Sequence, residues 1–120
     1  MDDIVAVERT GEDSIAVVTF KTTSVSDVEG IAAASNQIKQ FIDEHRPNSL
    51  IFDFEGVRFF SSQVLGLLLD IRAKLRERDG QVVISAIDPQ LHRVFKITNL
   101  DQIFKFFPDR TSAIRATKTD

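Results

Sequence analysis

At 120 residues the chain is long enough for one domain with its own core and too short for two ordinary ones. Its 42% hydrophobic and 28% charged residues suit a globular fold that needs no disulfide or structural metal, and a formal net charge of -3 argues against binding nucleic acid through a general basic excess. The absence of cysteine excludes thiol catalysis and cysteine-ligated metal sites, and it fits a cytoplasmic setting.

Asp2 and Asp3 are acidic where a signal peptide would be basic, and no apolar stretch approaches the ~20 residues of a membrane span, so no membrane insertion is expected. Ile4 to Arg9 and Ile15 to Phe20 are apolar runs flanking Thr10-Gly11-Glu12-Asp13, the pattern of a β-hairpin. A helix should start near Ser24 or Ser26, because Ser26-Asp27-Val28-Glu29 has capping-box spacing. Val28, Ile31, Ala32, Ile38, Phe41 and Ile42 mark its apolar face, and Pro47-Asn48 ends it.

Leu50 to Phe54 (LIFDF) reads as a strand covered on both faces. Ser61 or Ser62 opens the next helix, whose stripe is Val64, Leu68, Ile71 and Leu75, widened by Leu65, Leu67 and Leu69. Arg76, Arg78 and Gly80 are its stop signals. The basic run Arg72 to Arg78 is accompanied by Asp70, Glu77 and Asp79, which suits a solvated helix face.

Val82 to Ile87 is a further strand, and Asp88-Pro89 begins a short helix through Leu91, Val94 and Phe95 that stops at Thr98-Asn99. Ile103 to Phe107 reads as an edge strand, and Pro108-Asp109 leads into a last helix through Ala113 and Ile114. Residues 1–115 form the expected domain, with 116–120 a polar, frayed tail. The order β-β-α-β-α-β-α-β-α predicts an α/β fold with a mostly parallel or mixed sheet of four to five strands and about four helices packed on it.

No catalytic constellation is visible. The two histidines, His45 and His92, are far apart in sequence and read as structural. Asp53 stands near the C-terminal end of a buried strand, where α/β folds place ligands, yet no second acid or base pairs with it at a readable spacing. An Asp accepting from backbone amides of the next loop is the simpler reading. With no GxGxxG, no GxxxxGK[ST] and no GxSxG, the chain shows no phosphate cradle and no nucleophile elbow. No cofactor is expected, and a binding module is a better reading than an enzyme.

That leaves Ser61-Ser62. At a helix N-terminus the first amides lack partners and the dipole is positive, so a serine there is a natural cap. The same place accommodates a phosphate, which adds about -1.5 to -2 charges at neutral pH. Added charge there would repel a partner bound across the loop without refolding the domain.

Over nearly its whole length the chain resembles the STAS domain of bacterial anti-sigma factor antagonists. The likeness rests on Leu50 to Phe60 (LIFDFEGVRFF) ahead of Ser61-Ser62-Gln63-Val64-Leu65-Gly66, on Gly80 with Val82-Val83-Ile84, and on Val94, Ile97, Thr98, Leu100 and Phe104. The family's motif usually reads Asp-Ser-Ser-Gly-Leu-Gly. Aligned on Leu65-Gly66, its phosphoserine falls on Ser62. Ser61 replaces the usual Asp and is the alternative acceptor, Gln63 replaces Ser, and Val64 replaces Gly. The loop before the first helix, often acidic in the family, is Lys21-Thr22-Thr23-Ser24 here.

The resemblance implies a partner that is an anti-sigma factor and a serine kinase, with ATP bound by that partner and a serine phosphatase resetting the switch. It implies contacts through Thr22, Thr23, Ser24, Phe60, Ser61, Gln63, Val64 and Gly66. A second reading is a phosphorylation-independent scaffold subunit of a sensory assembly or lipid transporter. A third, a small enzyme built around Asp53, rests on that acid alone.

Overall fold

The computed structural model describes residues 3–11 and 14–118. Seven strands and four helices follow in order: β1 (Val5–Arg9), β2 (Ile15–Phe20), β3 (Ser24–Val25), α1 (Val28–His45), β4 (Ser49–Asp53), β5 (Phe59–Phe60), α2 (Ser62–Arg76), β6 (Gln81–Ser85), α3 (Pro89–Ile97), β7 (Lys105–Phe107) and α4 (Arg110–Lys118). A 3-10 turn at Leu100–Gln102, absent from the sequence reading, joins α3 to β7. The main sheet has five strands in the order β1-β2-β4-β6-β7. Only β1 is antiparallel to its neighbour, and β2, β4, β6 and β7 run parallel. This is the mixed, mostly parallel α/β sheet expected.

Period-two alternation divides the strand residues between two layers. Ala16, Val18, Phe20, Leu50, Phe52, Val82 and Ile84 pack with Ile31, Ile38 and Ile42 of α1, Leu68, Ile71 and Leu75 of α2, and Leu91 and Phe95 of α3. The opposite face carries Ile15, Val17, Ile51 and Val83, covered by Ala113 and Ile114 of α4. Both faces of β4 are therefore covered, which explains its unbroken apolar run.

Several local expectations need correction. The capping box at Ser26 does not form: Ser24 and Val25 are in β3, Asp27 is the N-cap, and its side chain makes no cap bond. Val28, at the start of α1, is 59% exposed, and Ala32 is exposed because it lies about 100° around the helix from Ile31. Ala34 completes the buried face instead. At the end of α2 the left-handed residue is Asp79, with φ 60°, not Gly80. Gly80 is needed for space: a Cβ there would lie 3.0 Å from the carbonyl oxygens of Asn48 and Leu75.

The Asp88 cap does form, its side chain accepting from the Gln90 amide at 2.9 Å. Asp109 plays the same part for α4. The Ser112 amide donates to its Oδ1 at 2.8 Å. That bond, then the Ser112 hydroxyl, hold the Asp109 carboxyl below its usual pKa; desolvation opposes them and the charge of Arg115 adds the least. Helix α4 runs to Lys118 with Thr117 buried, so residues 116–118 belong to the fold rather than to a frayed tail. Residues 119 and 120 lie outside the described residues.

Candidate partner-binding site

The loop after β4 returns to the domain through Val57 and Phe60, both buried. Adjacent phenylalanines in a strand face opposite ways. Phe60 is 7% exposed and packs edge-on against Phe54 and Phe95, with ring centroids 5.8 and 6.0 Å away. Phe59, its neighbour, is 52% exposed. The inward ring anchors the loop and leaves the outward one on the surface.

Strand β5 pairs in parallel with β3, matching Ser24 to Phe59 and Val25 to Phe60. The Arg58 and Phe59 amides donate to the Thr23 carbonyl, and the Ser61 amide donates to Val25 at 3.0 Å. Two loops that the sequence keeps more than thirty residues apart thus become one surface. Thr22, Thr23 and Ser24 are exposed on it beside Phe59.

Ser61 is the N-cap of α2 in backbone position, with φ -84° and ψ 167°, but its side chain makes no cap bond. Its Oγ is buried without a hydrogen-bond partner. The expected hydroxyl cap is therefore absent at Ser61. Ser62, the first residue of α2, is exposed, as are Gln63 and Gly66. Of the residues named from the sequence, Val64 and Phe60 are buried. Val64 has no exposed surface and joins the core with Leu68 and Ile71, so neither it nor Phe60 offers a free contact face.

The outward side of α2 has its own order. Ser62, Gly66, Leu69 and Ala73, at i, i+4, i+7 and i+11, are all exposed, and Leu69 is 39% so. A Cβ added at Gly66 would meet nothing within 4 Å. From Phe59 to Leu69 no residue is charged. The surface is a neutral ridge of small and apolar groups with a serine at its N-terminal end. The sequence reading put Leu69 in the apolar stripe of α2 and chose Phe60 rather than Phe59 as the contact residue. The period-two step from Phe60 and the i+7 step from Ser62 were the available signals.

Asp53 is 2% exposed and lies apart from this surface, on the α4 side of the sheet. Its Oδ2 accepts from Arg110 Nε and Nη2 at 3.0 and 2.9 Å. Its Oδ1 accepts from the Ser85 hydroxyl at 3.3 Å and the Glu55 amide at 3.2 Å. The expected backbone amide contact is present, joined by a cation that spacing could not reveal. Every oxygen is occupied within the fold, the pattern of a structural acid. The His92 ring lies 4.1 Å from that of Phe106, and His45 lies 4.4 Å from Phe41. Among the described residues no group of three or more His, Cys, Asp or Glu could hold a metal, and no helix is long and apolar enough to cross a membrane.

Comparison with known families matches residues 6–113 to the STAS domain. The chain belongs to the STAS domain family. Its fold is similar to that of an anti-sigma factor antagonist domain protein from Planctomyces limnophilus, with TM-score 0.83 and 19% identity over 95% of this chain and 97% of that one. It is similar to an anti-sigma factor antagonist from Mycobacterium paratuberculosis, with TM-score 0.75 and 24% identity over 95% and 92%. It is also similar to the Bacillus cell fate determinant SpoIIAA in its phosphorylated form, with TM-score 0.73 and 19% identity over 93% and 97%.

Proposed function

We propose that this STAS domain is a regulatory protein-binding module that docks an anti-sigma factor serine kinase on the surface formed by Thr22–Ser24, Phe59 and the outward ridge of α2. Phosphorylation of Ser62 ends the association, and a serine phosphatase restores it. The observation that carries this reading is the position of Ser62, exposed at the first turn of α2 within a stretch, Phe59 to Leu69, that carries no charged residue. The positive end of the helix favours a phosphate there, so the domain keeps its shape. A partner covering the site must instead desolvate the new charge. A penalty of several kcal/mol, at about 1.4 kcal/mol per tenfold, weakens binding roughly a hundredfold or more. The likeness to SpoIIAA, a protein with a phosphorylated form, supports the same reading. Ser61 is the poorer acceptor because its Oγ is buried.

The test is affinity capture from native lysate, with mass spectrometry of the partner and of the peptide holding Ser61 and Ser62. Incubation of the captured kinase with ATP should place phosphate on Ser62. Ser62→Asp should weaken binding, and Ser62→Ala should bind and accept no phosphate. A Ser62→Asp variant that binds as tightly as the parent would overturn the switch. Recovery of a large sensory assembly or transporter ATPase, with no phosphopeptide, would instead support the scaffold reading.

A further inference from the structure

At the other end of α2, roughly 21 Å from Ser62 at about 1.5 Å per residue, the helix borders a cleft that the partner surface does not use. Arg72, Arg76, Gly80, Val82, Ile103 and Lys105 line it, and its volume is about 180 Å³. The cleft exists because β7 is short. Its register covers β6 only from Val83 to Ser85, so the start of β6 is not flanked by β7. Arg72 and Arg76, one turn apart, overhang the gap from one side, and Lys105 borders it from β7.

Four cations near the helices have a carboxylate partner. Lys39 pairs with Asp70, Lys74 with Asp43, Arg58 with Asp88 and Arg110 with Asp53. None of Arg72, Arg76 and Lys105 has an ion pair among the described residues. Asp79, on an adjoining hollow with Arg76 and Gly80, forms no ion pair with Arg76.

A basic last turn also complements the negative end of a helix dipole. That accounts for Arg76 but not for Lys105, which comes from a different element. The dipole also opposes an anion at this end. Its magnitude is only about half an elementary charge, against three full positive charges around the cleft.

We propose that this cleft binds the phosphate head group of a small phosphorylated molecule. The two guanidinium groups supply planar forks suited to phosphate oxygens, Lys105 adds a point charge, and Val82 and Ile103 form an apolar flank. At about 180 Å³ the cleft is smaller than the roughly 300–1,000 Å³ of pockets that enclose a drug-sized ligand, so the head group is held and the remainder extends into solvent.

Amide NMR titration of the full chain with inorganic phosphate and with phenyl phosphate, at fixed ionic strength, tests the site. Saturable shifts confined to residues 72–83 and 103–105 are expected with both ligands. Arg72→Gln or Arg76→Gln should raise Kd roughly tenfold or more, and exposed Arg93→Gln, outside the cleft, should not. Both arginine variants remove only partly or wholly exposed charge, and their unshifted spectra report whether the fold is retained. Linear, unsaturated shifts spread over all basic residues would overturn the proposal. So would unchanged affinity in Arg72→Gln/Arg76→Gln, or binding only to phosphatidic acid vesicles and not to the soluble phosphates.

Discussion

The carboxylate of Asp53 joins three elements: β4 holds it, Ser85 of β6 donates to Oδ1, and Arg110 of α4 donates twice to Oδ2. Removing one partner of a fully buried pair costs about 3–5 kcal/mol, because the remaining charge is stranded. Arg110 is 43% exposed at its side chain, so water already screens it. We therefore expect Arg110→Ala to cost about 2 kcal/mol in urea denaturation. Asp53→Asn combined with Arg110→Ala should cost less than the sum of the single changes. Strict additivity would show that the two side chains do not stabilise each other. The residues at this site were legible as types but not as a set. An Asp in an apolar strand is conspicuous, whereas an Arg 57 positions later carries no local mark of its destination.

At the scale of the element, α2 serves the core and the surface at once. Val64, Leu67, Leu68, Ile71 and Leu75 are buried, while Ser62, Gly66, Leu69 and Ala73 face outward. A glycine within a helix destabilises it by roughly 0.5–1 kcal/mol relative to alanine. The monomer needs no glycine at position 66, since a Cβ there meets nothing within 4 Å. Gly66→Ala should therefore raise stability by about 0.5–1 kcal/mol, read from the denaturation midpoint. Gly66→Leu should keep the fold and abolish capture of the proposed partner, because the added side chain stands on the ridge proposed for docking. Undiminished capture by Gly66→Leu would move the interface off α2. The buried stripe of this helix was legible from its period. Its outer ridge was not, because eight apolar positions in fifteen residues leave the exposed ones undetermined until the sheet is in place.

For the whole molecule, the two faces of the sheet are covered unequally. Helices α1, α2 and α3 share one face, while α4, nine residues long, packs on the other. So short a helix is not stable alone in water and depends on the sheet for its structure. The dependence is mutual, since Ile15, Val17, Ile51 and Val83 are buried beneath it. Ending the chain after Pro108 should expose that surface, giving strong binding of a hydrophobic dye and loss of cooperative unfolding. A truncated chain with the parent's sharp transition would show that α4 is dispensable.

The order of the five main-sheet strands and the four helices, the two-sided burial of β4 and the start of a helix at Ser61 or Ser62 were determined by sequence alone; the short strands β3 and β5 were not. Each depends on local periodicity and on the preferences of residues at helix ends, which act over a few positions. Tertiary structure decided the pairing of β3 with β5, the inward and outward assignment of Phe60 and Phe59, the burial of Val64 and the Ser61 Oγ, and the meeting of Arg110 with Asp53. These contacts join segments far apart in the chain. Their free energy is realised only when the sheet closes, and no short-range pattern in the sequence records it.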